Sequence, residues 1–387
     1  MIRRLLPACL LALCPVAQAA EMHLDWNLRL RHEGVDDAAL ARTAAAQSLR
    51  LRLALRIGLA PGWTALVEGE GIAAGGDFNS GSNGRTALPA ITDPPGSELN
   101  QAWLGWRGTR AGATVGRQKL EWDNQRWLGS VGWRQNQQTF DALLLEASPQ
   151  PDLTIQYAWL GRVHRVAGDE ALDPLARERR LASHALRIAR GKPGQGITAY
   201  ALLHEDRDVP GASSATYGLR WTGSRGPRLG WTAEIATQGD HADNPASFQH
   251  AYWLLEPSLR AADISWKLGW EHLGGDGQHA LQTPLATLHA FNGWADRFAS
   301  TPAAGLDDAW LSGTGKLGAS TWTLAWHDYR SDAGSARYGS EWNLALVRAF
   351  GPRWTGTLKL ADYRAQDLGS DARKFWLQFE YQGSRPL

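Results

Sequence analysis

Residues 49–58 read LRLRLALRIG, with Leu49, Leu51, Leu53, Leu55 and Ile57 at every second position and Arg50, Arg52, Ala54 and Arg56 between them. A period of two is the repeat of an extended strand, whose side chains point alternately to opposite faces. One face of this strand is therefore wholly apolar, while the other carries three guanidinium groups.

The same alternation runs through the chain. Leu24, Trp26, Leu28 and Leu30 alternate with Asp25, Asn27, Arg29 and Arg31, and Ile264, Trp266, Leu268 and Trp270 alternate with Ser265, Lys267, Gly269 and Glu271. Eighteen such segments can be marked, at about 22–33, 46–58, 63–73, 98–108, 112–122, 138–148, 152–163, 181–190, 196–205, 213–223, 228–239, 248–256, 261–273, 308–317, 319–329, 338–349, 353–364 and 373–382. The phase of the fourth, fifth, sixth, eighth and fourteenth is ambiguous. Each segment is near the roughly 9–11 residues with which a tilted strand crosses a bilayer. Their connections fall into two classes by turn: short Gly/Pro hairpins, as at 58–62, 108–111, 148–151, 191–194, 223–227 and 350–353, and long loops near 74–97, 123–137, 164–180 and 274–307.

Short turns at one end and long loops at the other predict an all-β protein, a transmembrane antiparallel barrel of about 18 strands with periplasmic turns and extracellular loops. Closure leaves no strand edge for lipid to solvate, so Leu49 to Ile57 should meet hydrocarbon while the arginines between them face the lumen. Tryptophan occurs 20 times. Trp26, Trp63, Trp231, Trp322, Trp342 and Trp354 sit at strand ends, where interfacial belts form. A soluble two-sheet sandwich also alternates, but rarely through so many strands with two classes of loop.

The first twenty residues place Arg3 and Arg4 before an apolar run that ends in Ala17, Gln18 and Ala19, the pattern of a secretory signal peptide. Residues 1–20 are thus expected to be a signal peptide and 21–387 a single barrel domain. Both cysteines, Cys9 and Cys14, fall in the first segment, so the mature chain has no disulfide. Of 40 Lys and Arg residues 38 remain after its removal, against 39 Asp and Glu, and nothing global draws the chain to nucleic acid. Beyond the signal segment no apolar run reaches the roughly 18 residues of a membrane helix.

Two stretches carry more than a generic barrel: VGRQKLEWDNQRWLGSVGWRQNQQTFDAL at 115–143 and FNGWADRFASTPAAGLDDAWL at 291–311. In residues and spacing both resemble the alginate export family of Gram-negative outer-membrane porins. The match is most specific at Gly116-Arg117-Gln118, at 132–136, at Thr139-Phe140-Asp141 and at 292–296. The resemblance implies eighteen strands and a monomeric, passive channel whose basic lumen conducts an anionic polysaccharide. The family's exporters plug the pore with a long periplasmic loop between strands sixteen and seventeen, whereas here that connection is only residues 350–353. Small organic acids or sugars are therefore the alternative cargo, and an enzyme on a barrel the rival class.

On this phasing the candidate pore-lining cations are Arg29, Arg31, Arg50, Arg52, Arg56, Arg117, Lys119, Arg162, Arg220, Lys267 and Lys359, among inward carboxylates Asp25, Glu234, Asp263, Glu271, Glu341 and Glu380. A symmetric turn at 58–62 would set Arg52 opposite Glu68, Arg50 opposite Glu70 and Arg56 opposite Thr64. Arg29, Arg31, Arg56, Arg162, Arg220, Lys267 and Lys359 have no evident partner, and unpaired cations in a low-dielectric lumen favour anions. Arg126 and Arg134, among Trp127 and Trp133, Asp141, and Asp296 with Arg297 are expected at a loop constriction. The loop at 123–137 either braces the wall, with Arg134 paired to Asp141, or touches the solute.

Asp77, Asn79, Gly81 and Asn83 offer alternate oxygens of the kind that hold calcium, without the regular spacing or a closing Glu. No catalytic, phosphate-binding or metal motif is present, and no cofactor is expected. The remaining partners expected are outer-membrane lipid and an anionic saccharide or small anion.

Overall fold

The computed structural model describes residues 21–387 except residue 193, and the expected signal peptide lies outside the described residues. Eighteen antiparallel strands form one sheet. They are β1 (Met22–Asp37), β2 (Ala44–Ala60), β3 (Trp63–Asp77), β4 (Gly96–Arg107), β5 (Ala111–Gln118) and β6 (Thr139–Gln150). Then follow β7 (Leu153–His164), β8 (Glu178–Lys192), β9 (Gln195–His204), β10 (Ser214–Arg225), β11 (Leu229–Asp240) and β12 (Gln249–Ala261). The last six are β13 (Ile264–Leu273), β14 (Leu306–Leu317), β15 (Ser320–Arg330), β16 (Arg337–Phe350), β17 (Trp354–Ala365) and β18 (Ala372–Pro386).

Each strand pairs with its chain neighbours, and β1 pairs with β18 to close the ring. Closure is what lets this backbone stand in hydrocarbon, where an unpaired amide has no partner. The opening stretch behaves as its alternation requires: Leu49, Leu51 and Leu53 are 43%, 43% and 46% exposed on the outside, against 1% for Arg50 and 7% for Arg52 within.

Three details differ from expectation. First, a bulge between Gly58 and Ala60 lets Trp63 pair with Ala60, which shifts the hairpin register by two residues. Arg52 then faces Glu70, Arg50 faces Ile72 and Arg56 faces Leu66. Second, the last strand does not end at 382: residues 382–386 continue β18, with Gly383 opposite Trp26 and Pro386 opposite His23. The glycine has a reason, since a Cβ at 383 would lie 2.5 Å from the Trp26 indole that lies across it. Third, Asp263 sits in the tight turn between β12 and β13 at φ 61°, not on a lumen face.

The strands of ambiguous phase also find their reason. In β6, Phe140 and Ala142 point inward beneath loop residues Leu120, Leu128 and Leu285, while Leu145 on the other face is exposed. In β8, Leu181 and Ala185 join the same buried cluster, and Leu186 and Ile188 face out. Where a loop covers the inner face both faces are apolar, so the hydropathy loses its period. Bulges in the β3–β4 and β6–β7 pairings add phase slips.

If Leu51 faces lipid, Leu51→Lys should lower the unfolding free energy in bilayers by about 2–4 kcal/mol at the midplane and less toward the interfaces. Urea unfolding in vesicles measures this, and an unchanged midpoint would contradict the outward assignment.

Candidate functional site

Loops 119–138 and 274–305 fold into the barrel. The first enters as an irregular segment, and an irregular backbone at this depth must have its carbonyls satisfied. Strand arginines do this. Arg29 Nη1 donates to the carbonyls of Gly132, Trp133 and Arg134 at 3.1, 3.2 and 3.2 Å. Arg31 Nη2 donates to that of Trp133, and Arg50 and Arg52 donate to that of Gln135 at 3.3 and 2.8 Å. Four of the cations expected to line an open pore are thus covered by the loop they hold.

Their charges are matched nearby. Arg31 Nη1 lies 3.0 Å from Asp93, which also accepts from the Gln135 amide at 2.9 Å. Arg29 pairs with Glu380 at 3.2 Å, and Arg52 with Glu70. Of the residues with no evident partner in the sequence, Arg56 meets Asp25 at 3.2 Å, Arg220 meets Glu234, and Lys267 meets Glu256 at 2.9 Å.

Lys359 has a different environment. Its Nζ lies 2.6 Å from His289 Nε2, 4.2 Å over the Trp133 ring and 3.8 Å over that of Trp294. Its ion is held by aromatic faces. His289 stacks on Trp133 at 5.0 Å and its Nδ1 meets Asp296 at 2.7 Å. Burial, helped by Lys359, drives the His289 pKa down to about 3 against the pull of Asp296. The neutral ring donates from Nδ1 to Asp296 and accepts at Nε2 from Lys359. Burial opposes the charge of Asp296, yet His289, Lys374 and Arg134 hold its carboxyl well below the usual range.

The constriction residues come together with other partners than those expected. Arg134 reaches Asp296 at 3.0 Å and Glu33 at 3.4 Å, not Asp141. Arg126 reaches Glu271 and Asn292, both at 3.0 Å, and Arg297 anchors the second loop on Asp37 at 2.9 Å. For loop 119–138 these contacts favour the bracing role.

Asp141 lies between Phe140 and Ala142, which both enter the buried cluster, so its carboxylate faces outward. It takes Arg117 at 3.1 Å, His164 at 3.1 Å and Arg162 at 3.8 Å with it. Arg117 and Arg162 therefore stand on the outer face near the loop end, not in the lumen, and a bulge beside Arg162 moves it there. Lys119 is exposed beyond β5, which ends at Gln118.

In loop 78–95 the Asn79 and Asn83 oxygens cap local amides, Gly81 at 3.0 Å and Ser80 at 3.2 Å, as ordinary Asx turns do. The fold also groups His272, Asp307 and Asp332, which no sequence spacing suggested. The two carboxylates approach opposite ring nitrogens, at 3.0 and 3.9 Å, which suits hydrogen bonding to the ring better than a shared ion.

Below the loops a cavity of about 540 Å³ lies beside Asp25, Asn27, Arg52 and Glu68, and two more open on the inner wall. One, of about 440 Å³, is lined by Arg187, Arg190, Lys192 and Arg220 with Asp123 as its carboxylate. The other, of about 410 Å³, shares Arg220 and Asn124 with it and is lined further by Thr232, Glu256, Lys267, Phe291, Trp310 and His327, among others. Of the four arginines under the loop, Arg52 alone lines one of these cavities.

A sequence model of the family described as Alginate export matches residues 21–270. The chain belongs to the alginate export family. It shares its fold with solved outer-membrane porins. Pseudomonas aeruginosa OpdO is 15% identical with a TM-score of 0.71, covering 94% of this chain and 97% of that one. OpdK of the same organism, solved with vanillate, is 14% identical with a TM-score of 0.71, covering 94% and 99%. Acinetobacter baumannii OccAB4 is 13% identical with a TM-score of 0.71, covering 94% and 98%. At such identities the likeness concerns the fold alone.

Among curated proteins, a tRNA pseudouridine synthase A of Methylobacillus flagellatus is 27% identical over 165 residues. The aligned stretch is 41% of this chain and 62% of that protein's length, too little and too distant to carry an activity across. This alginate export family member is an outer-membrane β-barrel porin, and its relatives indicate a channel rather than an enzyme.

Arg134→Ala should destabilise the barrel by about 3–5 kcal/mol, because it leaves buried Glu33 and Asp296 short of a counter-charge. Added current flicker should accompany the loss as the loop comes free. Thermal unfolding with single-channel recording checks both, and a silent variant would show that the loop is held by its carbonyl contacts alone.

Proposed function

We propose that this porin is a monomeric, passive channel in the outer membrane of a Gram-negative bacterium that conducts small anions, organic acids or short anionic saccharides, rather than a polymer. The observation that carries the reading is the basic cavity, lined by four cations and one carboxylate. Arg187 is partly committed to Asp123 at 2.7 Å, Arg190 to Asp152 at 3.3 Å and Arg220 to Glu234, so the preference for anions is moderate. A low-dielectric wall concentrates what field remains. Against a polymer stands the geometry of the loops, which are tied to the wall on several sides and leave cavities of single-solute size. A porin of the same fold was solved with vanillate, a small aromatic carboxylate, which suits this size class.

Reversal potentials across a salt gradient should show mild anion selectivity, and Arg187→Glu should shift them toward cations. Cation selectivity of the natural chain would remove the proposal. Deleting residues 284–305 should raise conductance several-fold, since this segment supplies Asn292, Trp294, Asp296 and Arg297 to the constriction; an unchanged conductance would place it outside the ion path.

A further inference from the structure

Trp310 on β14 stands directly across from Gly269 on β13. A Cβ at position 269 would fall 2.0 Å from the indole Cε2 and Cζ2, so the ring lies flat over the bare glycine backbone. Residues 269 and 310 share a face with Lys267, Glu271 and Asp308, the face that turns inward and lines the cavity of about 410 Å³. The indole thus covers the wall at Gly269 and lines the cavity, with the His327 ring stacked beside it at 6.0 Å. Any side chain at 269 would displace it.

The polar groups around this plane are of both kinds. Glu256 accepts and Lys267 donates, 2.9 Å apart, and both remain partly exposed. His327 gives its Nδ1 to Asp308 at 2.9 Å, and its Nε2 has no hydrogen bond among the described residues. An anion arriving here gains at Lys267 and loses at Glu256. A hydroxyl group donates and accepts, so it satisfies either neighbour without a charge penalty. A ring with apolar C–H faces and hydroxyls at its edge matches both the indole face and the rim.

From this we infer that the Trp310 cavity is a binding subsite for a pyranose ring, distinct in chemistry from the basic cavity beside it. The inference rests on the reading of the lumen as a conducting path. Solutes would meet an aromatic station of mixed charge and a cationic one side by side, joined at Arg220 and Asn124.

Single-channel recording of the refolded chain in a planar bilayer tests it with maltose, acyclic sorbitol and benzoate as probes. Maltose should interrupt the current at lower concentration than sorbitol, and any block by benzoate, which the basic cavity can hold, should be unchanged in Trp310→Ala. Trp310→Ala and Gly269→Val should each weaken the maltose block by roughly three- to tenfold, the size of one aromatic stack. Trp310→Phe, which keeps an aromatic plane, should fall between and guards against a variant that fails to fold. Equal block by maltose and sorbitol, or undiminished maltose block in Trp310→Ala, would overturn the subsite. Should the natural chain carry no current, the conducting reading fails on its own. Quenching of tryptophan fluorescence by maltose, present in the natural chain and lost in Trp310→Ala, would then still support the subsite, and its absence would end it.

Discussion

Hydrocarbon offers no partner to a peptide N–H or C=O, and that constraint organises this molecule from the outside in. It requires the β1–β18 pairing, and with closure comes a strict division of every strand into a lipid face and an inner face. Even the last residues obey it. The chain pairs through Pro386, because ending the strand at 382 would leave the His23–Trp26 edge open to lipid.

The same constraint acts again inside. A loop of some twenty residues entering the barrel brings carbonyls that need donors, and the inner faces of β1 and β2 supply them as guanidinium groups. Arg29, Arg31, Arg50 and Arg52 between them reach the carbonyls of residues 132–135. Arginine suits this task because its planar fork carries five donors and accepts none. The wall thereby pins the loop, and the carboxylates Asp93, Glu70 and Glu380 neutralise the wall. What looks from the strand pattern like a cationic lining is largely a loop anchor.

The second loop is fixed by a different device. Trp133 has His289 stacked on it, Lys359 and Arg31 over its ring and Trp376 at its edge, so two loops and three strands meet at one indole. Together the loops pack against β1, β17 and β18 on one side and against β6 to β9 and β12 to β15 on the other, and leave cavities below them. On the proposed reading a solute meets Arg187, Arg220, Lys267, Glu256 and Trp310, which line two of those cavities.

The barrel, its strand number and the lipid face of most strands were legible in the sequence, because a period of two is a local property that the bilayer enforces wherever no loop covers the inner face. The two family motifs likewise marked both inserted loops before any coordinate. Pairing was less legible: a bulge at Gly58 moved Arg52 from Glu68 to Glu70, and one beside Arg162 turned that residue to the outer face. Which cations remain free was not legible at all. Arg31 meets Asp93 and Arg134 meets Glu33 across 62 and 101 residues of chain, and no spacing rule spans such gaps. Alternation determines which way a side chain points; only the folded loops decide whether it meets water, a solute or another part of the chain, since that depends on contacts made after the ring has closed.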